Sequence, residues 1–498
     1  MPKQSQRIPQ KSSAGSQSQT RRSISDPPSK SGFHAAVGDS SFYPGQDDDD
    51  SDWSYRPQQE SRSAIISLLQ RTVPMSLTVF RDAIPPDKNV NIYDLYPNLG
   101  EREPLVSFHY PNYSSKEAGL YSEHPFWYTV NMNPLTRRAA ESPTGILVSE
   151  GKGLALVHES TAKSERLKDY QRALLGHRLA LATYSSDYRK RLRELTEGRV
   201  LISPTPFIPS VLRKEGSYPS DPQVIARMNN KDHLNEIVPD EFLPKRIPGI
   251  ALDVFEVEKV MEEEGFSFPL MLKGGGGNSG GNMVRVASGK EDIFDAIRDF
   301  SSHHCVDLTM EEFFEHDSNT NVQMVVTDEE PQFFGASQQV LGEDATSYGG
   351  NIFDIRTARN PYLLPHQVWK ASRDTAVCMK EAGYRGIVGL DVLHNRREDK
   401  ARLIDPNARL NGSTPALAIL PLMKELADAR AREMVFLKKV VRASIDEVML
   451  SIDKLLERGD AFVLGAASDH GESKILMAVF GDEEKREKVE REIDLIQA

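Results

Sequence analysis

Cysteine is nearly absent from this sequence. Two thiols in 498 residues, Cys305 and Cys378, cannot staple a fold of this size, so a disulfide scaffold is excluded and a reducing, cytoplasmic compartment is expected. No apolar run approaches the ~20 residues that span a bilayer, so no membrane partner is expected. Basic charge is also short: 61 Lys and Arg against 73 Asp and Glu leave a net charge of −12, which argues against general nucleic-acid binding, since phosphate backbones need clustered cations. The chain has no GxSxG elbow, no Cys/His metal spacing and no kinase signature, so hydrolase, zinc-site and protein-kinase readings find no support.

What is present divides the chain by composition. Residues 1–61 are rich in Ser, Gln, Pro and Gly and end in an acidic run. Such a segment buries too little to offset its ordering entropy and is expected to be a disordered tail. From there to residue 225, MSLTVF, PLVSFHY, FWYTVNM and TGILVSE read as short strands, 164–198 reads as one helix, and RVLI as a further strand. This block is expected to form an α/β domain, 62–225.

The chemistry begins with SFPLMLKGGGGNSGGNMVRV, Ser267 to Val286. A strand ends on Lys273 and runs into six glycines in eight positions. Glycine has no Cβ, so backbone N–H groups in such a loop can close around phosphate oxygens, and the lysine adds charge. No GK[ST] follows and the chain returns to strand, so neither a P-loop nor a Rossmann turn fits. Downstream, KEDIFDAIRDF reads as a helix and LTMEEFF as a strand. YRGIVGLDVLHN places Asp391 inside an apolar strand, where a lone carboxylate is costly and a cationic partner is expected. Then LIDPNARLNGST puts Asp405, Asn407 and Arg409 at alternate positions, which on a strand share one face.

These residues carry a resemblance. Asp391, followed by Asp405-Pro-Asn407-Ala-Arg409, resembles the acid and ExNxR signature of the ATP-grasp superfamily, over roughly 227–433. The resemblance implies an α+β fold in which ATP lies between antiparallel sheets, with Mg²⁺ (or Mn²⁺) on Asp391, Asp405 and Asn407. It gives Lys231 and Lys273 to the phosphates, Gly276, Ser279, Gly280 and Gly281 to the closing loop, and Glu311, Glu312, Phe313 and Phe314 to the adenine hinge. Asp317, Asn319 or Asn321 would take the ribose. Arg409 would meet the transferred phosphate, and Arg356 is a candidate for an arginine that many relatives carry just before the position of Asp391, where this chain has Gly389 and Leu390. Asp405 stands where the family usually has glutamate.

The layout, with an α/β block, an ATP-grasp domain over 226–436 and a small C-terminal domain over 437–498, resembles the pheganomycin-type peptide ligase group and its fungal relatives. In that tail, 461–464 and 475–480 read as strands and EEKREKVEREIDLI as a helix. The resemblance implies an ATP-dependent carboxylate–amine ligase working through an acyl-phosphate, with small-molecule carboxylate and amine substrates, a place in secondary metabolism and a homodimer as a compatible assembly. A nucleotide-binding scaffold and a grasp-fold kinase are the alternatives.

Overall fold

The computed structural model describes residues 83–85, 88, 90–107, 144–149, 152–176, 179–184, 188–203, 218–275, 283–302, 305, 307–341, 348–426, 433–469, 471–481 and 483–497. The expected tail, MSLTVF, FWYTVNM and the glycines beyond Gly275 in the loop lie outside the described residues. Among the described residues no helix is long and apolar enough to cross a membrane.

Three sheets make up the described chain. Strands β1 (Pro104–Val106), β2 (Leu154–His158), β3 (Leu181–Tyr184) and β4 (Val200–Ile202) are parallel, in the order β3-β2-β1-β4. Two expectations fail here. TGILVSE is not a strand, because Thr144–Ser149 forms a helix, α1, in which every residue is buried; a short apolar run has no period to separate the two states, and packing on all sides decides. The segment 164–198 is not one helix. It breaks after α2 (Glu165–Leu175) at Gly176, whose φ of 65° makes a left-handed C-cap that an L-residue adopts at a cost. The chain then gives β3 and a second helix, α3 (Tyr188–Leu195).

The second sheet is antiparallel, in the order β5-β8-β6-β7: β5 (Arg246–Ala251), β6 (Leu270–Gly274), β7 (Val284–Ala287) and β8 (Asp307–Glu312). Alternation sorts its faces. Leu270, Leu272, Leu308 and Met310 pack under α5 (Val254–Glu264) and α6 (Lys290–Ser302), against Val257, Ile293 and Phe300. Arg246, Lys273, Thr309 and Glu311 are left on the other face.

The third sheet has eight strands in the order β13-β12-β9-β10-β11-β14-β16-β15. They are β9 (Ser318–Val326), β10 (Gln332–Leu341), β11 (Tyr348–Asp354), β12 (Gly386–Asn395), β13 (Lys400–Asn407), β14 (Glu433–Val441), β15 (Ala461–Asp469) and β16 (Glu472–Phe480), all antiparallel to their neighbours. Helix α7 (His366–Glu381) buries Val368, Trp369 and Met379 against Val322, Met324, Leu390, Val392 and Leu403. The opposite face therefore carries Asn321, Gln323 and Asp391. The expected boundary between 436 and 437 falls inside β14, and the two tail strands extend the same sheet, with the charged helix α9 following as Glu483–Asp494 and α8 (Ile445–Glu457) before them.

Candidate active site

Strand register builds the site. Asp391 on β12 stands opposite Asn321 on β9 and opposite Asp405 on β13. The β12–β13 register slips by one residue, since Asp391 pairs with Asp405 but Val392 with Leu403. Ile404 is thus the extra residue of a bulge. The bulge lets Leu403 face the core while Asp405 and Asn407 face the same side as Asp391. Without it, Leu403 and Asp405 would share a face. The expected alternation stops at Asn407, where β13 ends; Arg409 lies in a bend, its N–H bonded to Asn407 O at 2.7 Å. Arg409 is nonetheless buried, and its Nη1 donates to Asn229 Oδ1.

Among the described residues no cation is bonded to Asp391, where one was expected. Three amides hold it instead: Asn321 Nδ2 to Oδ1 at 2.6 Å, Gln339 Nε2 to Oδ2 at 2.9 Å, and Asn407 Nδ2 to Oδ2 at 3.4 Å. The nearby lysine, Lys231, is bonded at 2.5 Å to Asp405 Oδ2. Among the described residues the two facing carboxylates thus share one close cation. Burial first, and the Asp405 charge second, push the Asp391 carboxyl up to about 7, against the pull of Asn321, Lys231 and Gln339. The pair has a place for one more positive charge, a proton or a metal ion.

On the smaller antiparallel sheet, Lys273 sits on β6 with 4% exposure and meets Glu311 Oε2 at 2.5 Å; Arg246 Nε approaches Glu311 Oε1 at 3.3 Å. Burial lowers the pKa of both cations, and Glu311 works against that. Lys273 Nζ also donates to Ile404 O at 3.3 Å. That carbonyl belongs to the bulge residue, so the irregularity that orients Asp405 also offers an acceptor to the lysine at the glycine loop. Arg246 Nη2 donates to Lys231 O at 2.7 Å, and Thr309 Oγ1 to Asp232 at 2.8 Å. The two sheets and the 229–232 segment converge on one polar cluster. Glu311→Gln should lower stability by about 3–5 kcal/mol, because it strands two buried cations; denaturant unfolding would measure it, and a loss under ~1 kcal/mol would contradict the ion cluster.

The remaining expected residues fall as follows. Lys231, Lys273, Asp391, Asp405, Asn407 and Arg409 come together. Glu311 is 1% exposed inside the ion cluster, whereas Glu312 turns to the face of Leu308 and Met310, as strand alternation requires, and is exposed at the strand's end. Phe313 and Phe314 follow the end of β8, half-buried, with Arg402 over the Phe314 ring at 5.4 Å. Asn321, expected on a nucleotide, is bonded to Asp391; Asn319 donates to Gln339 Oε1 at 2.9 Å, and Asp317 pairs with Arg396 at 3.1 Å. Arg356 is exposed in the turn after β11, not on a neighbouring strand. Neither position before Asp391 has room for an arginine: a Cβ at Gly389 would lie 2.1 Å from Asn411 Nδ2 and 3.0 Å from Asn321 Nδ2, and Leu390 is fully buried in the core. Gly276, Ser279, Gly280 and Gly281 lie outside the described residues.

Sequence reading missed Gln339, Gln323, Asn229 and Arg246. The amides left a trace: in SNTNVQMVV, Asn319, Asn321 and Gln323 alternate with residues that turn to the core. Gln323 is fully buried, donating to Asn411 Oδ1 at 2.9 Å and accepting from Thr414 Oγ1 at 2.9 Å. For Arg246 and Asn229 no local pattern exists.

Residues 251–407 match the family model described as L-aspartate–L-methionine ligase, ATP grasp, and the fold, with two antiparallel sheets that follow a parallel α/β sheet in the chain, is an ATP-grasp fold. No curated protein matches the sequence. Among solved structures, the chain is similar to carboxyaminoimidazole ribonucleotide synthase from Aspergillus clavatus complexed with ATP, at 16% identity and a TM-score of 0.48, covering 79% of this chain and 99% of that one. It is similar to N5-carboxyaminoimidazole synthetase from Staphylococcus aureus complexed with ADP, at 11% identity and 0.47, covering 71% and 95%. It is also similar to biotin carboxylase from Campylobacter jejuni, at 11% and 0.48, covering 79% and 91%.

Proposed function

We propose that this chain is an ATP-dependent ligase that joins a small carboxylate to an amine, through an acyl-phosphate, with amino acids as substrates. One observation carries the reading: a buried carboxylate held by amides lies beside a second carboxylate paired with a lysine, and Lys273 of the other sheet reaches the bulge next to that second carboxylate. That arrangement suits a polyanion bridged by a divalent cation.

Magnesium fits the donor set. Carboxylate and amide oxygens are hard ligands, and Asn407 donates to Asp391 through Nδ2, so its oxygen is the atom left to meet a cation. Among the described residues no three His, Cys, Asp or Glu side chains form a metal-binding group. When bound, Mg²⁺ would neutralise phosphate charge.

The chain's own residues do the rest. Lys231 and Lys273 face the phosphates once these displace Asp405 and Glu311 as partners. Arg409 balances the charge that develops on the transferred γ-phosphoryl. The substrate carboxylate oxygen attacks that phosphorus and ADP leaves; the amine then attacks the acyl carbon, and phosphate leaves with the amine's proton passing to solvent. No protein nucleophile is needed. Burial of the cluster keeps water from the acyl-phosphate.

L-Aspartate with L-methionine is the first pair to test, on the strength of the family match; amidino acids are the second, on the likeness to pheganomycin-type ligases. The experiment is ADP release from Mg·ATP with each pair, with mass spectrometry of the product. A new amide formed one-for-one with ADP supports the reading. ADP with a phosphorylated product and no amide would make the protein a kinase, and nucleotide binding without turnover a scaffold, a reading that Asp405, one methylene shorter than glutamate and already paired with Lys231, keeps in play.

A further inference from the structure

The residue that fixes Arg409 is not in any motif. Arg409 stands in a bend two residues beyond the end of β13, so the sheet does not aim it. A guanidinium on a long stem has about 2 kcal/mol of rotamer entropy to lose before it can act from one place. Asn229, 2% exposed, sits just past α4 (Pro222–Met228). Its Nδ2 donates to Ile225 O at 2.7 Å, a carbonyl that also accepts the Asn229 backbone N–H at 3.1 Å, and to Ala408 O at 3.3 Å; its Oδ1 accepts from Arg409 Nη1.

We propose that Asn229 is a positioning residue for Arg409, a role that rests on the ligase reading above. One side chain ties the helix end, the backbone before Arg409 and the guanidinium itself into a single unit. Two residues on, Lys231 holds Asp405. The 229–231 segment therefore grips the chain on both sides of Asn407 and sets the spacing between the cation at the β13 end and the metal-side carboxylate. An amide suits the task, because it accepts from the guanidinium without cancelling the charge that the γ-phosphoryl needs. A misplacement of about 1 Å can cost on the order of 100-fold in rate.

The test compares binding of Mg·ATP, as its non-hydrolysable imido analogue, with Mg·ADP by calorimetry, and follows turnover beside it. Asn229→Ala should lower kcat about 10- to 100-fold, leave KM for ATP within about threefold, and reduce the preference for the triphosphate to the level of Arg409→Lys. Added to Arg409→Lys, it should cost almost nothing more, because the guanidinium it aims is already gone. Asn229→Ser, which keeps one hydroxyl to accept from Arg409, should fall between, and it carries the same test if the alanine variant does not fold. Losses that add to those of Arg409→Lys, or an unchanged triphosphate preference with only a lower melting temperature, would overturn the proposal while leaving the ligase reading intact. Wild-type protein that binds neither nucleotide would overturn both.

Discussion

Asp391→Asn should melt at a higher temperature than the wild-type protein at pH 8 and release no ADP. The two effects share one cause. In the ligand-free protein the Asp391 carboxyl is pushed up to about 7, chiefly by burial and then by Asp405. A folded-state pKa above the unfolded value means that the fold prefers the protonated form. Its stabilising effect is complete below about pH 4 and is lost as pH rises through 7. At about 1.4 kcal/mol per unit, the ceiling on that loss is roughly 4 kcal/mol, with the pull of Asn321, Lys231 and Gln339 already included. Asparagine cannot titrate, so the variant keeps its stability across that window. It also turns an NH₂ toward donors on Asn321 or Gln339, which returns part of the gain. Function should not survive, because the uncompensated charge is what the site offers a metal ion. Melting curves from pH 4 to 8 in the absence of nucleotide check the first effect. Parallel slopes for wild type and variant would contradict it.

Arg409→Ala should lower kcat by about 10²–10³, the usual cost of removing one charge-stabilising donor, with a smaller change in KM for ATP. Stability should fall by about 1–3 kcal/mol, since Asn229 Oδ1 loses a buried donor. Steady-state kinetics with unfolding curves measure both, and a kcat within tenfold of wild type would remove Arg409 from the chemistry.

The parts of the site that are spelled in apolar pattern could be read from the chain alone. An acid inside GIVGLDVL is conspicuous because every neighbour belongs to a buried strand, and Lys273 stands out as the last side chain before a glycine run. What could not be read is register. Nothing in LIDPN announces that Ile404 bulges, yet that single extra residue decides that Asp405 faces Asp391 while Leu403 enters the core. Plain alternation carried the pattern two residues too far, to Arg409. The partner of Asp391 was expected to be a cation because burial demands compensation, but three amides on β9, β10 and β13 supply it, and only the sheet order β13-β12-β9-β10 brings them there. Thr144–Ser149 and the break at Gly176 were lost for a local reason: a short apolar run fits either state, and a glycine in a leucine-rich stretch ends a helix only if the chain has somewhere else to pack.

Equilibrium binding of ATP with and without Mg²⁺, to wild type and to Asp391→Asn, tests the central claim most directly. The account predicts that wild type binds Mg·ATP, that removing the metal weakens binding at least tenfold, and that the variant has lost this dependence on metal. Equal affinity for ATP in all four measurements, or no binding in any, would contradict a divalent-cation-bridged nucleotide between these two sheets.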